Sequence, residues 1–274
     1  MKTRLNPEIA TDLSDARRQL HHAAQLATAA GISYLPAAAD DSHTNLEWLD
    51  VSGMLASNVI PSTKPFRVAV RAADLMLALL DVDDRTLATT PLNGRTIENA
   101  SKWMKDRLRE IGTDPSRYTL RRHYEIPHHA VADGAPFDLR NARAFTQLAG
   151  WYSLAADALG AVRKTEPTAS EVRCWPHHFD IATLIDVASG KTIGVGMEPG
   201  DVYYDEPYFY VNLHPRPSVP PTASLGRHGT WHTHEWIGAV LPVSRLTENV
   251  DDEVRAFLAS AITACRQLLD VRGQ

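Results

Sequence analysis

Between residues 171 and 243 the sequence is a succession of four strand-like runs, with no helical periodicity between them. The turn signal Ala188-Ser189-Gly190-Lys191 separates the first two runs, as expected for a hairpin. Strands joined by short turns pair antiparallel, so this region predicts an antiparallel sheet. The four runs are VRCWPHHFDIATLIDV, TIGVGMEPG, VYYDEPYFYVNLH and GTWHTHEWIGAVLPV.

Four further segments have helical periodicity and lie around the strand-like regions. Together with strand-like stretches at 43–92 and 118–126, they predict an α+β fold with mainly antiparallel sheet and four main helices. We expect at least one of His21 and His22, on the first helix, to be exposed to solvent. The element order leaves open whether the chain is a single domain, 1–274, or has two similar halves, 1–135 and 136–274. The helices are predicted at residues 6–31, 96–111, about 138–162 and about 247–270.

Composition restricts the classes of partner. The net charge of −5 and the short basic runs do not favour a nucleic-acid surface. No run approaches the roughly 18 apolar residues of a membrane span, and the N-terminal sequence lacks the apolar stretch of a secretory signal. Two cysteines in 274 residues fit a reducing compartment. We therefore expect a cytoplasmic protein that binds neither nucleic acid nor membrane, and its oligomeric state is left open.

Two short clusters combine histidines with carboxylates. In a strand over 177–186, His178 and Asp180 share one face, and the apolar run that follows indicates that Asp180 is buried and needs a partner. In WHTHEW, a strand would place His232 and His234 on one face. If the strands are neighbours, these four side chains would converge on one divalent transition metal, Zn, Fe or Mn. The alternative is that the histidines are solvated or hydrogen-bonded within the fold.

Aromatic residues near these clusters predict a small-molecule cleft. Asp180 and Glu206, which precedes an aromatic strand, are the candidate catalytic acids or bases. Three functions stay open: a metal-dependent enzyme acting on a small molecule by hydrolysis or oxidation, a non-catalytic small-molecule-binding protein, and an assembly protein whose WHTHEW strand pairs with another subunit. The candidate ligand-binding residues are Trp175, Tyr208, Tyr210, Trp231 and Trp236.

Three stretches, CWPHHFDIATLI, GDVYYDEPYFYVNLHPRP and RAFLASAITACRQLLD, resemble bacterial proteins related to the family known as domain of unknown function 5996. The likeness extends more loosely to FRVAVRA, NGRTIENASKWMKDRLREIG and YTLRRHYEIP in the first half. The resemblance implies one architecture over most of the chain and a common pocket, and it implies no reaction. The histidines at 177, 178, 232 and 234 lie outside the family pattern.

Overall fold

The computed structural model describes residues 13–188, 190–217, 221–226 and 228–270. This part of the chain contains four α-helices and eleven β-strands, and neighbouring strands within each unit described below pair antiparallel, which confirms the predicted α+β class. The described residues form two compact units. Unit 1 comprises 13–150 and 173–179, and unit 2 comprises 151–172 and 180–270. The predicted helix start at Asn6 lies outside the described residues.

Unit 1 has a sheet in the order β6-β1-β2-β3-β4-β5 and two helices, α1 and α2. The central strands of this sheet are buried on both faces. One face carries a row of alanines across β2, β3 and β4, namely Ala56, Ala69 and Ala78. The elements are α1 Ser14–Tyr34, β1 Leu46–Leu49, β2 Met54–Ser57, β3 Arg67–Arg71, β4 Met76–Leu80, β5 Thr86–Pro91, α2 Ile97–Glu110 and β6 Arg173–Trp175.

Helix α1 is buried almost all round, and the expectation that His21 or His22 faces solvent is wrong. His21 is 4% exposed and His22 is 3% exposed. Each imidazole uses Nε2 to meet a backbone carbonyl, His21 that of Pro176 at 2.8 Å and His22 that of Pro127 at 3.0 Å. Because a carbonyl only accepts, Nε2 carries the proton in both rings. These hydrogen bonds offset the cost of burying the polar side chains.

The segment 118–126, predicted as a strand, pairs with no strand in the described part of the chain. Its side chains alternate between exposed and half-buried from Thr119 to Ile126, as in a strand. A bend at residues 123 and 124 interrupts it. The alternation typical of a strand is present, but the predicted strand is wrong, because alternation alone does not supply a ladder partner.

Unit 2 has a sheet in the order β10-β11-β9-β8-β7 with helix α4 against one face. That face is apolar and buried, and Cys265 on α4 lies with its Sγ 3.8 Å from the carbonyl oxygen of Val211 on β9. Helix α3, Ala142–Thr165, begins in unit 1 and continues into unit 2 after Gly150. The other elements are β7 Asp180–Ala188, β8 Lys191–Glu198, β9 Tyr208–His214, β10 Thr230–His232, β11 Gly238–Pro242 and α4 Val250–Asp270. No helix in the described residues is long and apolar enough to cross a membrane.

Candidate ligand site on the unit 2 sheet

The stretch CWPHHFD is a turn between two strands. Strand β6 ends at Trp175, residues 176–179 turn, and β7 begins at Asp180. Phe179 adopts a left-handed φ of 74° and donates its N–H to the carbonyl of Trp175 at 2.6 Å. The predicted strand over 177–186 is therefore wrong for its first three residues, because the positive φ ends the pleat there.

The two histidines of this turn belong to unit 1. His178 is exposed and His177 is half-buried, with their ring centroids 4.5 Å apart. The ring of Trp175, also in unit 1, lies 6.1 Å from that of His177. Burial and then the neighbouring His178 lower the pKa of His177. This turn therefore presents a neutral imidazole at neutral pH.

Asp180, as predicted, is buried and has a partner: it accepts a hydrogen bond from the hydroxyl of Tyr210. Tyr210 lies on β9, and β8 runs between β9 and β7. The bond can span β8 because Gly196 is the residue opposite Tyr210. A Cβ on Gly196 would lie 2.6 Å from the tyrosine ring, so only glycine leaves room for the ring to cross the strand.

A second buried carboxylate, Glu198, lies opposite Tyr208 in the β8–β9 register and is 6% exposed. The hydroxyl of Tyr208 donates to Asp201 at 2.8 Å. Burial, followed by these nearby carboxylates, raises the pKa of both Tyr208 and Tyr210 well above the usual phenol value. Both phenols are therefore protonated donors at neutral pH. We call Asp180, Glu198, Tyr208 and Tyr210 the tyrosine face.

Next to this face on the same sheet, four rings and a carboxylate come together. His232 stacks on Trp236 with a centroid distance of 4.3 Å and an interplanar angle of 22°. The ring of Tyr203 meets His232 edge-on at 5.1 Å, and its hydroxyl donates to the Glu235 carboxylate. Tyr204 connects the group to the tyrosine face, because its ring lies 4.7 Å from Tyr208. We call Tyr203, Tyr204, His232, Glu235 and Trp236 the aromatic corner.

The predicted common strand face for His232 and His234 is wrong. Strand β10 ends at His232, and the chain bends through 234–236 with a left-handed φ of 64° at Glu235. His234 is exposed. Both ring nitrogens of His232 have protein partners, the Tyr204 hydroxyl at 3.0 Å and the His234 carbonyl oxygen at 2.6 Å. Among the described residues, no group of three or more His, Cys, Asp or Glu side chains is placed to hold a metal ion.

The two remaining candidates from the sequence, Glu206 and Trp231, form hydrogen bonds within the fold. Glu206 is half-exposed and binds Ser244 through both carboxylate oxygens, accepting from its N–H and its hydroxyl at 2.7 Å each. Trp231 pairs with Ala239 in the row that continues to Val211 on the apolar face, and its Nε1 donates to the carbonyl of Ala223 at 2.9 Å. Neither residue belongs to the tyrosine face or the aromatic corner.

A cavity of about 360 Å³ opens beside the aromatic corner. It falls within the range of small-molecule sites, roughly 300–1,000 Å³. Trp236 supplies an indole surface, Glu235 a carboxylate and Arg216 a guanidinium, which donates to the Glu235 carbonyl oxygen at 3.3 Å. The complete lining is Asn212, Leu213, His214, Arg216, Glu235, Trp236 and Ile237.

Sequence reasoning missed Glu198, Asp201, Tyr203, Tyr204 and Glu235 as members of the site. The signal for Glu198 was the alternation in TIGVGME, which places it on the same face as two glycines. Asp201, Tyr203 and Tyr204 lie in a loop, where alternation predicts nothing about neighbours.

No protein-family model matches this chain, and no curated protein or solved structure matches it at a significant level.

Proposed function

We propose that unit 2 binds a small organic cation, an amine with a flat or apolar body, at the aromatic corner. The observation that carries the proposal is the stack of Trp236 on His232, beside the Glu235 carboxylate and a cavity of about 360 Å³. Faces of Trp and Tyr rings attract cations, and a nearby carboxylate strengthens that attraction. The role is recognition without turnover.

The surrounding charges favour a cation over an anion. Glu235 and Asp201 reach the aromatic corner, and the tyrosine face adds two buried carboxylates. The one guanidinium in the cavity lining, that of Arg216, is directed at the carbonyl oxygen of Glu235. We place the ammonium group on the Tyr203 side of the Glu235 carboxylate, and the apolar body of the ligand on Trp236.

Two matched probes test the proposal. 2-Phenylethylammonium and 3-phenylpropionate have similar apolar bodies and opposite charges. We expect the cation to quench tryptophan fluorescence saturably and the anion to do so at least about tenfold more weakly. Trp236→Phe should remove most of the quenching, whereas Trp103→Phe on α2 of unit 1 should leave it intact. Tighter binding of the anion, or equal quenching in Trp236→Phe, would overturn the proposal.

Catalysis is a second candidate, favoured by the hydrogen bond between buried Asp180 and Tyr210 next to Glu198. A carboxylate and a phenol in contact can exchange a proton with a bound substrate. Mass spectrometry of the amine recovered after incubation separates the two functions. An unchanged amine supports binding alone, and a product that disappears in both Asp180→Asn and Tyr210→Phe supports an enzyme.

The metal-assisted form of that enzyme, with His178, Asp180, His232 and His234 as ligands to Zn, Fe or Mn, stays a prediction. Elemental analysis of the untagged protein tests it. About one equivalent of metal, lost in both His178→Ala and His232→Ala, would support a shared site. We also propose a cytoplasmic location, which the count of two cysteines in 274 residues favours.

A further inference from the structure

Unit 1 contains a groove far larger than the cavity of unit 2. It has a volume of about 820 Å³ and lies between helix α2 and residues 116–120, with residues 131–134 completing the lining. Half-buried Ile97 and Leu120 line it with apolar surface, and beneath them lie Tyr118 and Val131, each 1% exposed. A groove with an apolar floor and an open path along an extended segment accommodates a chain better than a compact ligand.

The α2 side of this groove is basic. Lys102 and Lys105 both line it, and neither forms an ion pair with any other described residue. Arg121 on the facing segment is exposed and also has no ion pair within the described residues. The nearby carboxylates are Glu98 in the lining, exposed Glu125 beyond it, Asp114, which accepts from Ser116, and Asp133, which pairs with His128. Because Lys102 and Lys105 line the groove without an ion pair in the described part of the chain, the α2 side favours an acidic occupant.

Along the backbone beside the groove, the free N–H groups lie on one side only. The N–H groups of Thr119 and Arg121 donate to Ser33 Oγ and Thr119 Oγ1, at 2.9 and 3.2 Å. Those of Leu120 and Arg122 have no partner among the residues that the structure describes. In an extended chain, alternate residues direct their N–H and C=O groups to the same side. Leu120 and Arg122 thus present a short, unpaired strand edge.

We propose that an extended acidic peptide of a partner protein docks in this groove and adds as a strand along Leu120 and Arg122. Main-chain hydrogen bonds to these two residues supply the pairing, since a strand added to a free edge bonds to alternate residues. Lys102, Lys105 and Arg121 supply the preference for acidic side chains. Half-buried Ile97 and Leu120, which lie over Tyr118 and Val131, receive alternate apolar side chains of the peptide.

Fluorescence anisotropy with labelled octapeptides tests the proposal on the full chain. The probe alternates Glu and Val, and the control alternates Lys and Val. We expect saturable binding of the Glu peptide, weakened by salt, and at least about tenfold weaker binding of the Lys peptide. The double variant Lys102→Glu/Lys105→Glu should weaken the Glu peptide by a similar factor. Equal binding of both peptides, or no effect of the double variant, overturns the proposal.

The strand pairing has its own test. Leu120→Pro removes the free N–H, and Leu120→Ala removes a similar amount of side chain while keeping it. We expect the proline variant to bind the Glu peptide several-fold more weakly than the alanine variant. If Leu120→Pro does not fold, a Glu-Val peptide N-methylated at its valines is used instead. The methyl groups remove N–H donors from the peptide, so that it cannot form the full set of main-chain hydrogen bonds with the strand edge. Undiminished binding of that peptide, or tighter binding of oligothymidylate than of the Glu peptide, overturns the proposal.

Discussion

Helices α1 and α4 are each 21 residues long, but they differ in how much of their surface is buried. Helix α4 buries one apolar face, which includes Val254, Phe257 and Ala261, and exposes polar residues on the other. Helix α1 is buried on every side from Gln19 to Gly31, a stretch that contains two histidines, two glutamines and a threonine. The two helices differ because α4 covers one face of a sheet, whereas α1 lies inside its unit.

The comparison shows how a polar helix is buried. Gln25 on α1 donates to the Pro176 carbonyl at 3.1 Å and accepts from the hydroxyl of Tyr124 at 2.9 Å. The Pro176 carbonyl also receives the imidazole N–H of His21, and the ring of His21 stacks on Phe179 at 4.6 Å. Two side chains of α1 therefore hold the 176–179 turn, including its left-handed residue. The buried side chains of helix α4 are apolar apart from Cys265, whose Sγ meets the Val211 carbonyl, so its position depends mainly on buried apolar area.

The largest effect is expected on α4. Phe257→Ala removes a ring that is 4% exposed, and we expect it to lower the free energy of unfolding by about 3–5 kcal/mol, because it leaves a cavity. Thr263→Ala, on the exposed face, should change it by less than about 0.5 kcal/mol. Urea denaturation followed by circular dichroism measures both. Similar losses for the two variants would contradict a one-sided helix.

On α1 we expect a somewhat smaller loss from a polar residue. His21→Ala removes the stack on Phe179 and leaves the Pro176 carbonyl with one donor fewer, so unfolding should become easier by about 2–4 kcal/mol. Arg18→Ala, at an exposed position of the same helix, is the matched control and should be nearly neutral. The same urea titrations measure the difference. A His21→Ala variant as stable as Arg18→Ala would show that the buried hydrogen bond contributes nothing.

The smallest effect is a dependence of stability on pH that arises from a buried histidine of α1. Burial lowers the pKa of His21 to about 3 in the folded state. Below the unfolded value of about 6.5, the unfolded chain therefore binds more protons, and stability falls with falling pH. The slope for one such group is at most about 1.4 kcal/mol per pH unit.

His21→Gln cannot titrate and isolates this contribution from that of His22, whose pKa is also lowered by burial. Between pH 7.5 and 5, we expect the stability advantage of the natural chain over His21→Gln to shrink as the pH falls. Urea titrations at three pH values suffice to measure it. An advantage that stays constant over this range would mean that His21 is not held neutral.

The sequence predicts α4 well and the environment of α1 poorly, for a physical reason. Apolar residues at spacings of three and four identify one buried face, and Val254, Phe257, Ala261 and Ala264 are indeed buried. No spacing rule indicates that His21 will meet the Pro176 carbonyl, 155 residues away in the chain. The burial of a polar side chain depends on such distant partners. A sequence pattern does not contain them, so it predicts that polar positions face solvent.

In the candidate site too, the local sequence pattern predicts burial but not the distant partner. Asp180 was predicted to be buried with a partner because the apolar run after it leaves a carboxylate no access to water. That its partner is Tyr210 depends on strand order, which alternation does not give. The error at His234 is local: the bend at Glu235 ends the period of two that placed both histidines on one face.

Because the ring of Tyr210 crosses over Gly196, the residues at these two positions should change together in evolution. A side chain at 196 and a ring at 210 exclude each other, so neither position can change alone without cost. Among chains that share this sheet, we expect residues larger than glycine at 196 only where 210 has lost its aromatic ring and 180 its carboxylate. The three positions should therefore be inherited as one character, and their joint presence would mark the relatives that keep the tyrosine face.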